Sequence, residues 1–271
     1  KTEGLVTPIQ GARALTALAM ASASTRAVVD DVLAHASSRA EEAVLLKEVA
    51  ARSKSLDTDE TASDLQKLAD KIRGKPLRWL VENTTAYGNE YGHGIKQSYK
   101  DSCMPAIKLV AEAEVDPLFA LELHDPTYSV ADEEKRELES EGGVAVARDD
   151  YEHGRGTRDH ELLFVLGREL DARTNVIARA NFDDAMMDRM VQLLDDGEDI
   201  PLRIAADGDL VAHSVIAVDA HRENGERYIR VHDPWTGQSA WFRDVDVLHG
   251  NLFPTDRGVP RHVTHVYLLE P

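Results

Sequence analysis

The spacing of apolar residues predicts that the first part of the chain is helical. Between residues 8 and 53 the chain is rich in Ala, Leu, Val, Arg and Glu and has almost no glycine. From residue 25 to residue 53 the apolar side chains recur at the spacing of one helix face: Val28, Val29, Val32, Leu33, Ala40, Val44, Leu45 and Val49. A second helix is predicted over residues 58–73, with Asp57 or Thr58 as its N-cap and Gly74-Lys75-Pro76 as its end.

Shorter helical patterns follow, separated by glycine-containing stretches. We predict helices over residues 76–83, 104–114, 117–123, 133–139 and 181–194. The composition changes near Thr84, and residues 88–94 are predicted to form a glycine-rich loop that leads toward Cys103. Residues 148–160 are polar and are predicted to form a second loop.

The last quarter of the chain changes to the pattern of strands. Short runs rich in β-branched or aromatic residues, separated by turn residues, cover 200–205, 212–220, 227–232, 239–242 and 263–269. Asn224-Gly225 is a strong hairpin signal between two of these runs. Helices followed by an antiparallel meander predict an α+β fold.

Length and charge limit the classes of partner. The 271 residues suit one large domain or two small ones, and the formal net charge is -18. Such a surface repels phosphate backbones and anionic membranes, so nucleic acid is not an expected partner. A basic partner, a high-salt habitat or plain solubility would each fit this charge.

The sequence gives little on location. It has no window of about 18 uninterrupted apolar residues, so no membrane span is expected. It starts without Met and without a signal-peptide pattern. We expect a soluble protein, with secretion or delivery into another cell left open.

The single cysteine, Cys103, is a candidate nucleophile. It lies where the sequence predicts a loop turning into a helix, and a helix N-terminus favours the thiolate. An amide hydrolase also needs donors for the oxyanion, and Gln97 lies six residues upstream. The alternative is a buried structural thiol, since free cysteines are often buried.

His213 and Asp233 are the expected partners of this thiol. His213 opens an apolar strand, and Asp233 ends the strand on the other side of the Asn224-Gly225 turn. Positions at similar distances from a hairpin turn are neighbours, so the carboxylate is predicted to orient the imidazole. His232 is expected to point to the opposite face of its strand.

The order Gln-x5-Cys, helix, His before a β-branched strand, and Asp-Pro-x-x-Gly resembles the papain-like cysteine peptidase superfamily. Within that superfamily, this order of residues most resembles the peptidase domain of bacteriocin-processing exporters and related bacterial papain-fold toxins and effectors. The resemblance implies that Cys103 is the nucleophile, His213 the base, Asp233 the orienting carboxylate and Gln97 the oxyanion donor. It covers roughly residues 97–242.

The resemblance implies a papain-like catalytic domain over residues 84–271, with residues 1–83 as an N-terminal helical region. His93 and Trp235 are candidates for the substrate cleft, and neither a metal nor a cofactor is expected. The substrate would be a protein or peptide, and an immunity protein is a conceivable partner of a toxin. The same triad serves glutamine deamidases and transglutaminases, so the motif leaves the reaction open. An inactive papain-like fold that acts as a binding module is a further alternative.

Overall fold

A computed structural model describes residues 5–85, 95–125, 127–140, 144–146, 173–206, 212–250, 252–253 and 258–270. The predicted loops at 88–94 and 148–160 lie outside the described residues, and so does His93.

Within the described residues there are ten α-helices and six strands. The helices are α1 (Pro8–Met20), α2 (Ala23–Ala34), α3 (Arg39–Ala51), α4 (Asp59–Ile72), α5 (Leu77–Asn83), α6 (Cys103–Val115), α7 (Pro117–Leu123), α8 (Val130–Ser140), α9 (Asp184–Asp195) and α10 (Asp244–His249). The strands are β1 (Arg173–Ala178), β2 (Ile200–Ala205), β3 (His213–Glu223), β4 (Glu226–Asp233), β5 (Gln238–Arg243) and β6 (His262–Glu270). The chain divides into two compact units: a helical unit of Lys1–Tyr91 with Val110–Tyr128, and a sheet unit of Gly92–Leu109 with Ser129–Pro271. Each unit draws on two stretches of chain, whereas the sequence suggested a single cut after residue 83; that domain assignment stays a prediction.

Side-chain caps set several helix boundaries that the sequence indicated. The hydroxyl of Thr58 accepts from the Thr61 amide, and Asp116 accepts from the Phe119 amide at the start of α7. Residues 25–53 do not form one helix, because Ser38 is the N-cap of a second helix, α3. Its hydroxyl accepts from the Glu41 amide at 3.2 Å, and α2 and α3 are separate helices.

The six strands form one antiparallel sheet in the order β1-β6-β2-β3-β4-β5. The α+β class is therefore confirmed. Strands β2 to β5 follow the predicted meander, but β6 pairs with β2 on the far side from β5. Strand β1 and helix α10 were not predicted. The sequence pattern reports local periodicity only, and the pairing of β6 with β1 and β2 joins distant parts of the chain.

The core of the sheet unit lies between α9 and one face of the sheet. Asp183 caps α9 by accepting from the Met186 amide at 2.8 Å. The helix therefore begins at Asp184, three residues after its predicted start at residue 181. The methionines of α9 and the inward residues of four strands and α10 form the cluster: Met186, Met187, Met190, Val191, Leu202, Val215, Ala217, Ile229, Val231, Val247, Val263 and Val266. This packing fixes the strands that carry His213 and Asp233.

Apolar clusters also hold the helical unit together, and a charged group is buried among its helices. Leu45, Leu68 and Ile72 pack with Leu118 in one cluster. Glu48 is fully buried and accepts from the Arg52 guanidinium at 3.0 Å and from the Leu118 amide at 3.1 Å. Arg52 also contacts Asp116 at 3.0 Å. Among the helices of the described residues, none combines the length and the apolar character that crossing a membrane requires.

Replacement of Glu48 by Gln should change how stability depends on pH. Burial and the negative charge of Asp116 outweigh Arg52 and raise the pKa of Glu48 from 4.5 to about 7. The folded state therefore binds the proton more tightly, and wild-type stability falls as pH rises from about 4.5 to about 7. We measure the free energy of unfolding of both proteins by urea titration at each pH. The difference, Glu48→Gln minus wild type, should increase by at least about 1 kcal/mol as the pH rises across this range. Glu42→Gln, at an exposed site on the same helix, is the control; parallel curves for Glu48→Gln and wild type would contradict the prediction.

Candidate active site

Cys103 is the first residue of α6. Helical hydrogen bonding begins there, with the Ala106 amide donating to the Ser102 carbonyl at 3.0 Å. The residue as a whole is partly exposed. The first amides of a helix have no acceptor within the helix, so the sulfur lies beside N–H groups that favour negative charge.

Two hydrogen bonds tie the chain before Cys103 to the end of β4. The backbone amide of Gln97 donates to the Pro234 carbonyl at 2.8 Å. The His232 imidazole donates from Nε2 to the Ile95 carbonyl at 2.8 Å. Asp233 lies between these two anchor points in the sequence. The loop before α6 and the strand that ends in the carboxylate are therefore held side by side.

The hairpin brings His213 and Asp233 together, with help from a bulge. Ile216 pairs with His232, and the register shifts between Ala217 and Asp219. Without that shift, symmetry about the Asn224-Gly225 turn would place Asp233 one position further from His213. The 20-residue interval between histidine and aspartate is accommodated in this way.

The imidazole of His213 donates from Nε2 to Oδ1 of Asp233 at 2.6 Å. The carboxylate is almost fully buried and is fixed by its own turn. Its Oδ1 also accepts from the Trp235 amide at 2.9 Å, and the Thr236 hydroxyl donates to Oδ2 at 3.4 Å. Since Nε2 is used by Asp233, Nδ1 is the ring nitrogen left for the thiol.

The electrostatics favour a thiolate beside an imidazolium. Burial would raise the pKa of the Cys103 thiol, but a hydrogen bond with His213 and the charge of its ring lower it below 9.0 overall. Burial would lower the pKa of His213, but its hydrogen bonds to Asp233 and Cys103 raise it to about 9. The pKa of Asp233 is lowered: burial opposes this, and the hydrogen bond from His213 prevails. The three residues thus stabilise each other's charged forms.

Ser214 also contacts the sulfur, which the sequence reasoning missed. Interactions with its backbone and its hydroxyl both lower the pKa of the Cys103 thiol. Strand alternation predicts that Ser214 points to the opposite face from His213, and its position directly after His213 was the available signal.

Gln97 is buried in the loop before Cys103. Its side-chain nitrogen donates to the Tyr99 carbonyl at 2.8 Å and to the Lys100 carbonyl at 3.2 Å. In this conformation the amide braces the loop, and donation to an oxyanion would require it to give up one of these carbonyls. The oxyanion role of Gln97 stays a prediction.

Two other candidates are placed as follows. Trp235 is half-buried directly after the Asp233-Pro234 pair, and its role in a cleft stays a prediction. His232 is fully buried, and burial lowers its pKa. Because the Ile95 carbonyl can only accept, the Nε2 of His232 carries the proton. The His232 ring therefore anchors the loop before α6.

Comparison with family models gives no match to this chain, and comparison with curated proteins gives none. In the part of the chain that the structure describes, no group of three or more His, Cys, Asp or Glu side chains could hold a metal ion.

The thiol of Cys103 should react rapidly with iodoacetamide near neutral pH. Because its pKa is lowered, the midpoint of the rate against pH should lie below that of an ordinary free cysteine. His213→Ala should slow the reaction near neutral pH and move the midpoint back toward that value. The alkylation rate is followed by mass spectrometry, with His221→Ala on the exposed part of β3 as the control. The same midpoint in wild type and His213→Ala would contradict the predicted pairing.

Proposed function

We propose that this chain is a cysteine-dependent amide hydrolase, a papain-like peptidase that uses Cys103, His213 and Asp233. The observation that carries the proposal is the hydrogen bond from His213 to the buried Asp233 carboxylate, together with Cys103 at the start of α6, where the His213 ring lowers the pKa of the thiol. A structural thiol needs neither a charged imidazole nor an orienting acid.

The reaction begins with a thiolate and an imidazolium already formed. The sulfur attacks the carbonyl carbon of an amide, and the negative charge moves to the carbonyl oxygen. The backbone N–H of Cys103 and the side-chain amide of Gln97 are the proposed donors to that oxyanion. His213 then gives its proton to the leaving nitrogen, the C–N bond breaks, and a thioester to Cys103 remains.

Water completes the cycle. The neutral His213 takes a proton from water as the oxygen attacks the thioester, and the C–S bond breaks to release a carboxylic acid. The thiolate forms again beside the imidazolium. Asp233 keeps the ring oriented through both steps, since its carboxylate contacts the nitrogen opposite the reacting one.

The partial exposure of Cys103 is consistent with a reaction on a peptide substrate. The charge of -18 favours basic segments of a substrate or a basic partner. A protein or peptide amide is the substrate class that this chemistry fits.

Cys103→Ala should abolish activity while the fold remains. A small, half-buried side chain contributes little packing, so the free energy of unfolding should change by less than about 1 kcal/mol. Activity is measured by mass spectrometry of a peptide library incubated with wild type or variant. Cleaved peptides support a peptidase; conversion of glutamine to glutamate, or crosslinks, would instead identify a deamidase or a transglutaminase. Equal product from wild type and Cys103→Ala, or a large loss of stability in the variant, would contradict the proposal.

A further inference from the structure

A buried carboxylate on α8 contacts the loop that leads into Cys103. Glu134 is fully buried. Its two oxygens accept from the Ser98 amide at 2.9 and 2.7 Å, and Oε1 lies 3.4 Å from the Tyr99 amide. The Ser102 hydroxyl also donates to it. Donors from both ends of the loop thus converge on one carboxylate.

The contacts fix the residue directly before the nucleophile. Ser102 is fully buried, and its carbonyl accepts the first helical hydrogen bond of α6. A buried carboxylate is stable only where donors satisfy its oxygens, and here the donors belong to the loop itself. Any movement of the loop would leave Glu134 without partners in the interior. The position of Ser102, and with it the direction of the Cys103 N–H, is therefore held from α8.

Other contacts act on the same loop from different sides. The Gln97 side chain donates to the Tyr99 and Lys100 carbonyls, and the Lys100 amide donates to the Val146 carbonyl at 2.9 Å. Lys108 of α6 forms an ion pair with Glu137 of α8. These contacts hold the loop and its helix in place. Glu134, in contrast, contacts Ser102, the residue directly before Cys103.

We propose that Glu134 is a positioning residue for the nucleophile: its carboxylate holds the Ser98–Ser102 loop so that the Cys103 thiol and N–H face His213 and the substrate. The proposal rests on the proposed function of Cys103. Glu134 acts through Ser102 and the amides of the loop, and it does not contact the reacting atoms.

The charge of Glu134 makes the test directional. A carboxylate near the start of α6 disfavours a thiolate there, so loss of its charge alone would promote ionisation and speed alkylation of Cys103. Loss of positioning acts the other way, because the thiol would leave its contact with His213. A slower reaction in Glu134→Gln therefore reports positioning and cannot result from the charge.

The experiment measures the rate constant and its pH midpoint for alkylation of Cys103 by iodoacetamide in the full chain. We expect Glu134→Gln to react about tenfold more slowly near neutral pH, because small displacements of reacting groups have large kinetic effects. Ser102→Ala, which removes one of the donors, should show a smaller loss in the same direction. Glu139→Gln, an exposed site on the same helix, should match wild type. A role limited to stability would lower the melting temperature without changing the rate constant of the folded protein.

The outcomes separate the two proposals. A fast wild-type thiol with an equally fast or faster Glu134→Gln thiol would overturn the positioning role and leave the proposed function standing. A slow wild-type thiol, with the midpoint of a free cysteine, would overturn both. If Glu134→Gln does not fold, Ser102→Ala decides: a slower reaction supports the role, and a wild-type rate overturns it.

Discussion

The contact between the Cys103 thiol and the His213 imidazole is the interaction on which the chemistry depends. Burial opposes charge on both groups. The imidazolium is favoured first by its hydrogen bond to Asp233 and then by the thiol, and the thiolate is favoured by the imidazole. Asp233 adds the second half of this balance, since its carboxylate hydrogen-bonds the far side of the ring at 2.6 Å. The site therefore requires that three side chains from two distant parts of the sequence be held within hydrogen-bond range, in a partly dehydrated place.

The architecture of the sheet unit meets that requirement with few contacts. The β3–β4 hairpin supplies the histidine and the aspartate, and its bulge corrects their register. Hydrogen bonds from the His232 ring and from the backbone amide of Gln97 join the loop before α6 to the end of β4. Glu134 fastens the same loop to α8. Buried polar groups that have hydrogen-bond partners make such an arrangement rigid, and a reaction at a fixed distance needs that rigidity.

Features set by local chemistry could be predicted from the sequence. Thr58 and Asp116 cap the starts of helices, and strand β2 lies where the short β-branched run predicted it, because caps and local composition act over a few residues. The pairing of His213 with Asp233 followed from one hairpin turn. Glu134 and Ser214 could not be predicted in the same way. The contact of Glu134 with Ser98 spans 36 residues, and the effect of Ser214 on the Cys103 thiol joins distant parts of the chain. The pairing of β6 between β1 and β2 is likewise non-local.

The mutual stabilisation of thiolate and imidazolium is tested most directly by NMR titration of histidine-labelled protein, wild type against Cys103→Ser. The account predicts that His213 titrates near 9 in the wild type and at a distinctly lower pH in Cys103→Ser, because the serine hydroxyl carries no charge to favour the imidazolium. A His213 pKa that is the same in both proteins would show that the two groups do not share a proton, and would contradict the proposed catalytic pair.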